Sequence, residues 1–225
     1  DMIIIAHDLF LQEAERLADF HRDHDSLSVH VITPRETYNE FSSGAVDVTA
    51  IRDLVKMFYD RAASQADMPK YLLLFGDGSY DNKNKMVVNS SPIPTYQSAN
   101  SLEHTKSYVS DDFFGLLDDS EGQWDPGDPD LQDLAIGRLP VRTAEQAKAM
   151  VDKIIRYATP GTFGSGACAE SSSSSFGDWR NIVCFIADDE DGNTHINQSD
   201  DLATKVDTTY DDYTIDKIYF DAYKQ

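Results

Sequence analysis

Short, unbroken apolar runs alternate with amphipathic helical stretches through the first third of this chain. That alternation constrains its fold more than any other feature. Met2 to Ala6 is continuously apolar. Asp8 can cap a helix reaching about Asp23, with Phe10, Ala14, Leu17 and Ala18 on one face. Ser28 to Thr33 alternates Val29, Val31 and Ile32 with polar neighbours, and Pro34 ends it. Asp47 or Thr49 starts a second helix, whose stripe of Ile51, Leu54, Val55, Phe58 and Ala62 has the spacing of a buried helical face. Tyr71 to Phe75 is again unbroken. The order strand, helix, strand, helix, strand predicts an α/β protein with a parallel sheet between helix layers.

Further along, Phe113 to Leu117 reads as a strand and Leu134 to Ile136 as another. Thr143 and Gln146 form a capping box for a helix to about Ala158, burying Ala147, Met150, Val151, Ile154 and Ala158. The Gly- and Ser-rich stretch that follows is a linker by composition, holding the run Ser171 to Ser175. The expected division is a first subdomain over 1–160, a linker over 161–177, and a second subdomain from 178 to 225. Trp179 to Ala187 restarts the pattern with a strand, Thr194 to Val206 is a weaker helix, and Ile215 to Ala222 a further strand. A chain that stops one strand into a new unit reads as part of a longer protein.

Forty acidic residues against 19 basic ones give a formal charge of −21. Such a surface repels phosphate backbones and anionic membranes, which argues against nucleic-acid binding. It suits a secreted or surface-displayed protein, or one that holds divalent cations. No apolar run approaches the roughly 20 residues that span a bilayer. The opening residues lack a basic region, so a signal peptide is expected to be already removed or to lie upstream. Cys184 sits in an apolar strand pattern and reads as a small buried hydrophobe. Cys168 lies in the Ser-rich loop with no basic neighbour to activate it.

Two of the apolar runs end in acidic loops, and ligands of open α/β sheets sit at the carboxyl ends of the strands. After Phe75 comes Gly76-Asp77-Gly78-Ser79-Tyr80-Asp81. Its Asp77, Ser79 and Asp81 are spaced like the cation loop of an adhesion module, and equally like a plain turn. The stretch Asp118, Asp119, Glu121, Asp125, Asp128, Asp130 and Asp133 packs many like charges together. They need either dilution by solvent or a cation, and Ca²⁺ takes such ligands. After Ala187 comes Asp188-Asp189-Glu190-Asp191-Gly192-Asn193-Thr194-His195. Asp188 or Asp189 leaves the strand first, Asn193 or Thr194 is placed to cap the next helix, and His195 falls in that helix's first turn. A solvated acidic loop is the plainer reading. No nucleophile–base pair, phosphate loop or paired Cys-x-x-Cys is present.

Four pieces, in order, resemble the gingipain-type cysteine peptidases: Tyr71 to Asp77; Ser110-Asp111-Asp112-Phe113-Phe114-Gly115; Ile136-Gly137-Arg138-Leu139-Pro140-Val141 leading to Tyr157; and Ile182 to Ala187 leading to His195. Within that family the chain is most similar to the sortases of type IX secretion, in which Trp179-Arg180-Asn181 also fits. The resemblance implies a caspase-like, three-layer α/β fold with a first subdomain complete and a second begun. It implies a cysteine endopeptidase acting on protein substrates at the cell surface or outside the cell, cleaving C-terminal export signals beside other outer-membrane secretion proteins. The family's histidine stands in a His-Gly dipeptide, which is absent here, and neither cysteine matches its nucleophile, so this segment by itself is expected to be inactive.

The resemblance assigns the third catalytic group to Asp189, with Asp188 as its neighbour, and a substrate-pocket position to His195. A histidine there removes the anion that would pair with an arginine side chain. It also implies a structural calcium on Asp77, Asp118 and Asp133. The competing expectations are a cation-dependent adhesion module using Asp77, Ser79 and Asp81, and a degenerate peptidase kept as a scaffold.

Overall fold

In the computed structural model, which describes residues 1–82, 85, 93–98, 102–104, 107–122, 130–159, 177–188 and 191–222, the chain divides into Asp1–Ile155 and Arg156–Gln225. The described strands of the first unit are β1 (Met2–Ala6), β2 (Val29–Ile32), β3 (Tyr71–Phe75), β4 (Tyr96–Gln97), β5 (Val109–Ser110) and β6 (Ala135–Leu139). The main sheet has the order β2-β1-β3-β6, parallel throughout. Its helices are α1 (Leu11–His24), α2 (Pro34–Phe41), α3 (Val48–Asp60) and α4 (Ala144–Ala158).

Every residue of β1 is buried because helices cover both faces. One face sets Ile3, Ile5, Leu72 and Leu74 against Ile51, Leu54 and Val55 of α3 and against Phe113 and Phe114. The other sets Ile4, Ala6 and Phe75 against Ala14, Leu17 and Ala18 of α1 and Ala147 and Val151 of α4. Each fully buried aliphatic or aromatic side chain contributes on the order of 1.5–3 kcal/mol. This is the layered α/β arrangement expected.

Local differences have local causes. The 3-10 turn Asp8–Phe10 precedes α1 and is capped by His7, whose Nδ1 accepts from Leu9 N at 3.3 Å. Burial lowers the His7 pKa, which keeps that nitrogen an acceptor. After β2 the chain turns directly into α2 instead of a loop. Thr33 Oγ1 accepts from Glu36 N at 3.2 Å, and Glu36 Oε2 accepts from Thr33 N at 2.9 Å. Asp47 caps α3 by accepting from Thr49 N. The expected strand at Phe113 to Leu117 is a 3-10 turn, Asp112–Gly115, because Phe113 and Phe114 are both buried and consecutive strand residues cannot both face one core.

The second unit holds β7 (Ile182–Ala187) and β8 (Thr214–Tyr219), paired in parallel, with α5 (Thr194–Thr209) between them in sequence. Ile196 and Ala203 of α5 are buried. Cys184 is exposed and free, not a buried hydrophobe. It shares a strand face with Ile182 and Ile186, which are 48% and 61% exposed, so among the described residues that face of β7 is not covered. Cys168 and most of the expected linker lie outside the described residues. No helix among the described residues is long and apolar enough to cross a membrane.

Candidate functional sites

The end of β7 delivers Asp188, and a turn later α5 begins. Asp191 organises the junction. Its Oδ1 accepts from Thr194 N at 2.9 Å, its Oδ2 accepts from His195 N at 3.3 Å, and Thr194 Oγ1 donates to its carbonyl. The helix is therefore capped by Asp191, and not by Asn193 or Thr194. Asn193 instead takes the left-handed backbone, with φ 64°, that steers the chain into the helix. His195 Nδ1 lies 3.1 Å from Asp188 Oδ1 and 2.9 Å from Asp191 Oδ2. The three side chains bring one nitrogen and two carboxylate oxygens within 4.8 Å of each other at an exposed site.

The structure thus joins two of the expected residues, Asp188 and His195, and adds Asp191. Asp189 lies outside the described residues. A carboxylate on an imidazole nitrogen fixes the ring's orientation and tautomer. Cys184 is four residues before Asp188 on the strand, roughly 13 Å along an extended chain. Among the described residues Cys184 is not a member of the Asp188–Asp191–His195 cluster, so it does not complete a catalytic set there.

The residues expected to hold calcium are not brought together. Asp77 follows the carboxyl end of β3, while Asp133 precedes the amino end of β6. The strands are parallel, so the two sit at opposite edges of the sheet. Asp77 is 9% exposed, and its Oδ2 accepts from Arg142 Nε at 2.6 Å. Asp118 and Asp133 do meet: each has a carboxylate oxygen 3.4 Å from the Tyr59 hydroxyl, and Asp133 Oδ2 accepts from Leu117 N at 2.9 Å. Burial, then the two carboxylates, raises the Tyr59 pKa and keeps it a donor.

The acidic loop has cations of its own. Lys56 Nζ of α3 lies 2.6 Å from Leu117 O, 3.0 Å from Asp119 Oδ1 and 3.4 Å from Asp60 Oδ1. The bond to Asp119 raises its pKa, so it stays charged. Arg52 Nε donates to Leu116 O at 2.5 Å, and its NH2 to Glu121 O at 3.1 Å. Lys56→Met is expected to cost about 1–2 kcal/mol, near the lower end of the roughly 1.5–3 kcal/mol of a hydrogen bond to a charged group, because its partner Asp119 is exposed. Urea unfolding checks this; a midpoint equal to that of the unaltered protein would remove the role from Lys56.

Ser79 is engaged within its own loop. Its Oγ accepts from Asp81 N at 3.1 Å, which makes Ser79–Asp81 a local turn. Behind this turn stands a cluster that the sequence reading missed. Arg138 of β6 donates from Nε and NH2 to both oxygens of Asp111 at 2.7 Å. Its NH1 donates to Gly76 O and Ile93 O, and its NH2 also to Pro94 O. All five guanidinium donors are used. The available signal was an arginine in an otherwise apolar strand, which must find an anion close by.

Comparison with known proteins agrees with this architecture. The description "Peptidase family C25" matches residues 1–225. The dimeric latent PorU of Porphyromonas gingivalis is 40% identical over 69% of this chain and 15% of its own, with a TM-score of 0.60. Two structures that share the fold at 20% identity each align with 97% of the chain. They are the complex of RgpB pro- and mature domains from Porphyromonas gingivalis (41% of that chain, TM-score 0.59) and the Arg-specific cysteine proteinase gingipain R (40%, TM-score 0.61). The chain therefore spans well under half the length of these proteins. No curated protein matches. With the family matched from end to end and a caspase-like α/β fold, the chain belongs to peptidase family C25, the gingipain family of cysteine peptidases.

Proposed function

We propose that the whole protein is a cysteine endopeptidase of the sortase kind, cleaving C-terminal export signals from substrates of type IX secretion. The 40% identity with PorU over 69% of the chain carries this reading. In it, a cysteine thiolate outside these residues attacks the peptide carbonyl, and a histidine serves as base. Asp189, or its neighbour Asp188, orients that histidine and stabilises its charged form. His195 stands in the primary substrate pocket, where it offers no free carboxylate to an arginine side chain. The protein works outside the cell or on its surface, beside other outer-membrane components of the secretion machinery. The present segment supplies scaffold and one rim of the site, and is inactive alone.

The test uses the intact protein, a thiol-directed irreversible inhibitor and a substrate protein bearing a C-terminal export signal. The expected result is labelling of one cysteine and release of the signal, with release blocked by the inhibitor. Absence of both labelling and cleavage would make the protein a degenerate scaffold. Cleavage at internal sites without preference for the signal would leave a general endopeptidase.

A further inference from the structure

We propose that a cavity at the carboxyl edge of the first sheet binds the carboxylate end of a peptide, held by the Arg142 guanidinium. This rests on the peptidase reading only in taking peptide as the ligand class. The cavity has a volume of about 550 Å³ and is lined by Ser79, Tyr80, Val109, Ser110, Arg138 and Arg142, among others. That size suits a small ligand, and the carboxyl ends of β3 and β6 are where open α/β sheets bind theirs.

The two arginines are not equivalent. Arg138 has no donor left, so it is wall. Arg142 is 61% exposed. Asp77 takes its Nε, and among the described residues its terminal nitrogens have no hydrogen-bond partner. Asp77 therefore holds the guanidinium plane in place and leaves its outer fork available, the geometry that takes a carboxylate bidentately. Two hydroxyls add to it. Ser79 Oγ accepts from Asp81 N and Ser110 Oγ from Asp112 N, both at 3.1 Å, so each still has a proton to donate.

Charge selects the anion. Asp77 and Asp111 line the same cavity and oppose a phosphate dianion more than a single carboxylate. Tyr80 and Val109 are 70% and 56% exposed beside the arginine and offer an apolar flank. A carboxylate next to an apolar side chain describes the last residue of a peptide.

The probes are an acetylated pentapeptide ending in a free-carboxylate valine, its C-terminal amide, the amide with an internal glutamate, and inorganic phosphate. Binding to the intact chain is measured by calorimetry. The free acid is expected to bind at least about tenfold more tightly than the amide, the worth of one charged hydrogen-bonded contact. Arg142→Gln should erase that preference and Arg142→Lys keep part of it, with circular dichroism verifying the fold. Should Arg142→Gln fail to fold, Tyr80→Ala should still weaken the free acid. Equal affinity for acid and amide, equal or tighter binding of the internal glutamate peptide or of phosphate, or an unchanged preference in Arg142→Gln each overturns the proposal. Binding is read without cleavage, so such a failure leaves the peptidase reading standing.

Discussion

Arg138→Leu is expected to destabilise the first unit by about 3–5 kcal/mol, the cost of leaving one member of a buried ion pair alone. The side chain is only 12% exposed and its partner Asp111 only 25%. Its five bonds reach the carbonyl after β3, two carbonyls just ahead of β4, and the carboxylate ahead of the Phe113 turn. Three separate segments are thus tied to one strand by one side chain. The leucine removes every tie and orphans a carboxylate and three carbonyls. Many domains have a total stability of about 5–15 kcal/mol, so a loss of this size leaves the unit marginal or unfolded. Arg138→Lys should recover little, because an ammonium has three donors and cannot grip Asp111 in a fork. Lys56→Met, at a single point of the loop, should cost less than half as much. Urea unfolding of the three variants orders them; an Arg138→Leu protein within 1 kcal/mol of the parent, on the scale of a routine substitution, would show that the segments hold without it.

Much of the first unit was legible because its strands are covered on both sides. Unbroken Met2–Ala6 and Tyr71–Phe75 and the α3 stripe carry the layering without help from distant residues. Helix α2 was also legible in principle. Thr33-Pro34-Arg35-Glu36 is a capping box with proline in the first helical position, whereas a proline after an alternating run by itself marks only the end of a strand. The turn at Phe113 was harder, since a short apolar run fits a strand and a tight helical turn equally well. Gly115 lies where a Cβ would come within 2.9 Å of Ile136 Cδ1, a constraint set by a residue of another element.

The expected calcium residues lie apart for a similar reason, Asp77 at one edge of the sheet and Asp133 at the other. The acidic loop meets a positive charge on Lys56, 61 residues from the carbonyl that its ammonium bonds. Spacing within a loop cannot reveal a partner on a helix. Arg138 and Asp111, 27 residues apart, were missed in the same way. Cys184 shows the opposite limit. A continuous apolar strand implies cover on both faces, yet Ile182, Cys184 and Ile186 are exposed together, because apolar character alone does not supply a covering layer.

If the whole protein is the proposed cysteine peptidase, Asp189→Asn is expected to lower kcat by about 10³–10⁴-fold while a thiol-directed inhibitor still labels the nucleophile. A carboxylate that orients a catalytic imidazole has an effect of this order, and losing it leaves the ring in the wrong tautomer. The corresponding barrier is about 4–5.5 kcal/mol. Asp188→Asn should cost less than tenfold. Its Oδ1 is already engaged by His195, which also has Asp191 at 2.9 Å, so the imidazole keeps one carboxylate when the other is neutralised. His195→Ala should act mainly on KM, because the proposed reading puts it in the substrate pocket, where it would touch substrate without moving protons. The three variants therefore separate by parameter as well as by size. A large loss of kcat in Asp188→Asn, with Asp189→Asn near normal, would move the orienting role one residue along the strand. It would also make the Asp188–His195 pair an alternative to the competent arrangement, one that must open before Asp188 can reach the catalytic histidine. A large loss of kcat in His195→Ala alone would place His195 in the chemistry itself, with Asp188 and Asp191 as its orienting carboxylates.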